Sequence, residues 1–337
     1  MKPKERLARM SRGENIDRIP FMPTLFEHAA MLIKKTPSEA AQDERLLEEA
    51  QLKAYEVYGH DSVTVGIDVY NIEAEALGCS VRYQKDFSIP GIENHPMEDE
   101  IDTGNISFSI EKGRIGKIIK AAENVHRQIG DEVNVGIGIC GPFSICAELR
   151  GYENLIMDCI SGEEGIVELL KAVLEFQKDY SSAIASRNLG ITLFESWASP
   201  PLVSPKIFRE YVMPYERELI KHIKGCGVTA MPLVIGGNTV EILDDIINTG
   251  TTLLVADYSV DMRFYVEKAA EKNLTVRGNI DPKLVERGSL EDICKSAEQA
   301  INCSGGYKKF VLGTGVIPYH TPKEHLTVIK DYLENQV

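Results

Sequence analysis

Side chains able to do acid–base or ligand chemistry recur at one kind of place in this chain, at or shortly after a short apolar run. Glu27 follows "RIPFMPT" (18–24), Asp68 closes "DSVTVGID" (61–68), and Glu195 and Trp197 lie in "ITLFESW" (191–197). Asn238 follows "VTAMPLVI" (228–235), Asp257 closes "TTLLVAD" (251–257) and Asn279 lies in "LTVRGNI" (274–280). Tyr319 and His320 follow "KFVLGTG" (309–315), while "VNVGIGICG" (133–141) carries Cys140, with Cys146 beyond it. A carboxyl, phenol or imidazole in such a position can pass a proton to a departing group. Glu195 lies between Phe194 and Trp197, and apolar neighbours favour the neutral acid, the form that donates. Glu195, Tyr319 and His320 are therefore the candidate proton donors. Glu27, Asp68, Trp197, Asp257, Asn279 and Asn238 are the candidate substrate contacts.

Each has a plainer reading. Asp68 and Asp281 suit helix caps or turn bonds to backbone N–H groups, His320 an exposed loop, and His28 a structural role. Cys140 and Cys146 suit core packing better than reactivity. No His/Cys cluster has the spacing of a closed zinc site.

The runs that carry these residues number eight, and amphipathic segments with helix-start signals separate most of them. "SPKIFREYVMPYERELIKHI" opens with Ser204 as a cap and Pro205 in the first turn. "TPKEHLTVIKDYL" sets Thr321 and Glu324 at capping-box spacing. Alternating strands and helices imply parallel pairing with right-handed crossovers. Eight units in about 300 residues suit a closed (β/α)₈ barrel, whose chemistry sits at the strand C-terminal ends. An open doubly wound sheet lacks support, since no Gly-x-Gly-x-x-Gly follows an early strand. Residues 79–116 read as a β-rich insertion after the second strand, beside the barrel mouth, so one domain is expected over 1–337.

The 337 residues carry a net charge of −14, which repels nucleic acid. No apolar stretch reaches the ~20 residues of a membrane span. The charged start and seven cysteines without paired spacing predict a cytoplasmic protein.

Several segments, taken in order, resemble the uroporphyrinogen decarboxylase superfamily, in particular its methylcobamide:coenzyme M methyltransferase branch. They are "VGIDVYNIEAEALGC" with "IENHP", "GICGPFSICAELRG", "LVSPKIFREYVMPYERELI", "VIGGNT", "GNIDP" and "GTGVIPYHTPKEHL". The resemblance runs from about Arg18 to the C-terminus and implies one (β/α)₈ barrel. Decarboxylases of this superfamily resemble one another in an arginine-rich segment after the first strand and an aspartate after the second. Asp68 matches that aspartate. The first loop here reads "FMPTLFEHAAMLIKK", with Glu27 and no arginine, and an acidic rim repels a polycarboxylate by ~1 kcal/mol per close pair.

The methyltransferase branch implies a zinc site with a His-x-Cys pair on the fifth strand and a cysteine ending the eighth, where the metal activates a thiol. Val234, Gly236 and Thr314 stand at those three positions, so the resemblance carries the backbone turn without its ligands. Glu195 and Glu210 leave a carboxylate metal site open. A third activity of the superfamily moves a methyl group from an ether or amine to reduced cobalt, and there the enzyme assists the leaving group. No Asp-x-His-x-x-Gly corrinoid motif surrounds any histidine, which implies a separate corrinoid-binding protein as partner. The reading is a corrinoid-dependent methyltransferase acting on a methyl ether or methylamine. A carboxy-lyase and a non-catalytic ligand-binding member of the superfamily are the alternatives.

Overall fold

The computed structural model describes residues 1–335, so the last two residues of the expected 1–337 domain lie outside the described residues. Eight parallel strands form the centre: β1 Phe21–Thr24, β2 Ser62–Val65, β3 Asn134–Cys140, β4 Gly190–Phe194, β5 Leu233–Val234, β6 Leu253–Ala256, β7 Thr275–Ile280 and β8 Phe310–Val316. Each falls within or overlaps an apolar run expected to be a strand. They pair as two four-stranded halves, β2-β3-β4-β5 and β6-β7-β8-β1. At one seam Pro232 bridges Leu253, and Thr252 N–H donates to Met231 C=O at 3.0 Å. At the other, Asp61 N–H donates to Phe21 C=O at 2.8 Å. The result is the (β/α)₈ barrel.

The fifth strand shrinks from its expected 228–235 to two residues. Pro232 has no N–H for the ladder, which limits the regular pairing. Asp61 secures the other seam, with its carboxylate accepting from Phe21 N–H and pairing with Arg6 and Arg18. It is fully buried, and two guanidiniums offset the cost of enclosing that charge.

The helices pack around the ring with the apolar faces that their periodicity gives them, and the core lies between sheet and helices. Ser204 caps its helix as expected, its hydroxyl accepting from Ile207 N–H. That helix widens into a π-type turn at Phe208–Val212 before continuing as Met213–Gly225. Pro214 supplies no N–H there, which disturbs the regular ladder. The capping box expected at Thr321 and Glu324 does not form. Helix Lys323–Glu334 starts after Pro322, and the Thr321 hydroxyl is buried without a partner.

The insertion over 79–116 is less regular than expected. Its β structure is one antiparallel pair, Val81–Arg82 with Gly91–Ile92. Its tip reaches the rim, where Phe87 stacks on Tyr319 at 4.5 Å and meets His320 edge-on at 4.8 Å. No helix among the described residues is long and apolar enough to cross a membrane.

Candidate active site

Strand alternation decides which side chains see the barrel interior. On β4, Thr192 and Phe194 line the central cavity, as do Thr24, Phe26, Ser62, Thr64, Val234 and Arg277. Glu195, one residue past Phe194, belongs to the opposite face. Its carboxylate is fully buried and accepts from Ser144 N–H at 2.7 Å, Phe143 N–H at 3.3 Å and the Ser144 hydroxyl. The acid therefore sits at the start of helix Pro142–Arg150, beside buried Glu216 and outside the cavity. Burial pushes both acids up. The three donors favour charge on Glu195, and the proton resides on Glu216. Gly141 makes this possible, because a Cβ there would overlap both carboxylates. The expectation of Glu195 as a proton donor inside the pocket is thus corrected: it faces the helix layer.

Asp68, expected to meet substrate, is instead paired bidentately with Arg114, Nη1 to Oδ1 at 2.9 Å and Nη2 to Oδ2 at 2.8 Å. Arg114 also holds Glu75 at 2.6 Å, so Asp68 fixes the insertion's exit to the second loop. Trp197 is similarly engaged in the wall. Its Nε1–H donates to Glu148 at 2.8 Å, and its ring stacks on Tyr152. Asn238 is exposed and caps a local turn by accepting from Val240 N–H. Asp257 accepts from Gly237 N–H at 3.3 Å and from Ser259. That steadies the glycine turn after β5, where Gly237 at φ +74° adopts a conformation side chains disfavour. Tyr319 donates to Lys35 C=O at 3.0 Å, and His320 is exposed beside it. Both stand at the rim. Asp281 is a cap, accepting from Lys283 N–H. His28 is buried against the Tyr58 hydroxyl, and burial pushes it down to about 4. Cys140 and Cys146 are fully buried, and burial pushes both thiols up.

Glu27, the aromatic pair Phe26 and Phe194, and Arg277 give this end of the barrel its character. Glu27, in the first turn of helix Phe26–Leu32, has no cationic partner among the described residues, and burial pushes it up to about 7. Phe26 and Phe194 meet edge-on at 5.6 Å and, with Val69, form an apolar collar against which Tyr70 and Val234 pack. Below the collar lies Arg277, which sequence reasoning passed over. Its neighbours in "LTVRGNI" gave the signal: a cation in the middle of a strand buried on both faces needs a reason.

The positions expected to differ from a zinc site carry no ligand set. Val234 packs its methyl groups into the collar, Gly236 faces open space, and the buried Thr314 hydroxyl accepts from Thr24 N–H. No three His, Cys, Asp or Glu side chains among the described residues come together as a metal site. Valine, glycine and a bonded threonine do not fit zinc.

Barrel, strand-end opening and motif order together define a member of one family: the uroporphyrinogen decarboxylase (URO-D) model matches residues 2–335, and the chain belongs to that family. Among its relatives is the methylcobamide:CoM methyltransferase MtbA of Methanosarcina mazei, 26% identical over 99% of this chain and 98% of its own. A uroporphyrinogen decarboxylase of Geotalea daltonii is 21% identical over 94% of this chain and 95% of its own. The solved structure of a methyltransferase from Methanosarcina mazei superposes with a TM-score of 0.86 at 21% identity, over 100% of this chain and 99% of that one. At that identity the superposition speaks for the fold.

Proposed function

We propose that the protein is a cytoplasmic, corrinoid-dependent methyltransferase that moves a methyl group from a small ether or amine to the cobalt of a separate corrinoid protein. The observation that carries the direction of transfer is the retained Gly-Asn-Thr turn with Val234, Gly236 and Thr314 at the ligand positions. Full-length similarity to methylcobamide:CoM methyltransferases supports the reaction class. The missing thiol-activating ligands favour the half-reaction in which cobalt, not a thiolate, is the nucleophile.

The partner supplies the cobalt chemistry. What falls to this chain is to hold the methyl donor, exclude water and deliver a proton. The Phe26–Val69–Phe194 collar gives the methyl group a dry passage, where charge interactions are stronger than in water. Glu27, raised to about 7, is partly protonated near neutral pH, and in that form it gives its proton to the departing oxygen or nitrogen. Tyr319 and His320 border the face to which the corrinoid protein docks. Glu195 serves from behind, anchoring the loop after β4 to helix Pro142–Arg150.

The test mixes the purified protein with a reduced corrinoid protein and a panel of methyl ethers and methylamines, following methylcobalt absorbance. Methylcobalt should form with at least one donor. Transfer only from methylcobalt to a thiol would overturn the direction, and coproporphyrinogen formed from uroporphyrinogen would overturn the class.

A further inference from the structure

Arg277 leaves the β7 backbone level with Val311 on β8, yet its guanidinium reaches the end of that strand. There Nη2 donates to Thr314 C=O at 3.0 Å and to the Thr24 hydroxyl at 2.6 Å. The side chain is more than nine-tenths buried. No carboxylate pairs with it among the described residues, and no aspartate or glutamate lines its cavity. Nε has no hydrogen-bond partner, and neither does the nearby buried Asn279 Oδ1. Burial pulls the guanidinium down to about 10, so it stays charged at neutral pH. An enclosed charge without a counter-ion is costly, and proteins offset the cost with a partner of opposite sign.

The surroundings supply the rest of a receptor. Ser62, Thr64 and Thr192 line the same cavity, and their hydroxyls bond to no other described residue. The cavity there measures about 40 Å³, room for a small polar group in place of a few waters. Gly313 keeps the place clear: a Cβ there would fall on Arg277 Nε and lie 2.6 Å from Asn279 Oδ1. Above stands the collar of Phe26, Val69 and Phe194.

We propose that Arg277, with the Ser62, Thr64 and Thr192 hydroxyls, forms an oxyanion subsite that takes the carboxylate or sulfonate of a small anionic ligand. That this ligand is the methyl donor rests on the function proposed above. The anion lies inside the barrel against the guanidinium and hydroxyl donors, and the apolar, methyl-bearing end of the molecule points up through the collar. A planar guanidinium with free N–H groups suits a two-oxygen acceptor better than an ammonium would. The Thr24 and Thr314 contacts fix its plane.

Calorimetric titration of the full chain without a corrinoid partner tests this, using methoxyacetate, 2-methoxybenzoate and ethanesulfonate, each against its neutral amide. At least one acid should bind about tenfold or more tighter than its amide, and Arg277→Met should lose that preference. Arg277→Lys should recover part of it, and Gly313→Ala should weaken it by pushing the guanidinium aside while the positive charge stays in the protein. Without anion, Arg277→Met should melt at the same or a higher temperature, because it removes an uncompensated charge. Equal binding of acids and amides, undiminished binding by Arg277→Met, or a lower melting temperature of that variant without anion would overturn the subsite. Methyl transfer from neutral donors without anion binding removes the subsite and leaves the function. Anion binding without any methyl transfer does the reverse.

Discussion

Replacing Glu27 by glutamine tests whether the strand-end opening is dry. The carboxyl moves from an ordinary 4.5 to about 7 because burial disfavours its ionised form. At about 1.4 kcal/mol per pH unit, the folded state disfavours the carboxylate by about 3 kcal/mol relative to the unfolded chain. The sign follows from proton binding. Between pH 4.5 and 7 the folded protein holds this proton while the unfolded chain releases it, so this stabilising contribution is complete below 4.5. It is lost as pH rises through 7. Glutamine has the same shape and does not titrate, so the other buried acids cancel in the comparison. Urea unfolding followed by circular dichroism from pH 4.5 to 8.5 should give nearly equal stabilities at the acid end. At pH 8 Glu27→Gln should be more stable by up to about 3 kcal/mol, roughly 1 M in midpoint for a slope near 3 kcal/mol per M. A stability difference independent of pH would refute the argument, because it would mean that water reaches the carboxylate freely. The same variant should slow methyl transfer by ~10²-fold or more if Glu27 donates the proton.

Arg114→Met strands Asp68 inside the protein and should cost about 3–5 kcal/mol in denaturant unfolding, with loosened protease resistance over 79–116. Glu216→Gln keeps the shape of the neutral partner and should change stability by less than about 1 kcal/mol. Glu195→Ala leaves two N–H groups of helix Pro142–Arg150 unmet and should cost about 2 kcal/mol or more, read from the same unfolding curves. Gly141→Ala drives a methyl group into both carboxylates, and its soluble yield and melting temperature should fall sharply.

The eight strands were legible because each is a short apolar run closed by turn residues and followed by a helical period. What the runs could not display is the side to which each residue faces. A barrel strand is buried on both faces, so its hydrophobicity does not alternate, and one residue of phase separates the cavity from the helix layer. Glu195 went to the wrong side for that reason: Phe194 took the inward place. Asp68 was found as a residue at a strand end, but its partner Arg114 lies 46 positions away, and no local pattern reveals it. Glu27 was legible as an acid without a nearby arginine, and the structure adds the burial that pushes its carboxyl up to about 7. Arg277 stood in plain view within a quoted strand, but a search confined to strand ends skipped it, because its long side chain travels to the end from a backbone position below.

The chain's first strand lies beside its last, Phe21 against Leu312 and Thr24 beside Val316. During synthesis β1 therefore waits for almost the whole polypeptide before its neighbour exists, while β2 to β5 can assemble in the order they emerge. Arg277 draws its two anchoring contacts from those same terminal strands, Thr24 on one and Thr314 on the other. A ribosome-released fragment ending before residue 310 would lack that arrangement however much of its helix content had formed. Capture of a small oxyanion is then a signature of ring closure, and it can be followed in refolding experiments alongside the slower probes of helix formation.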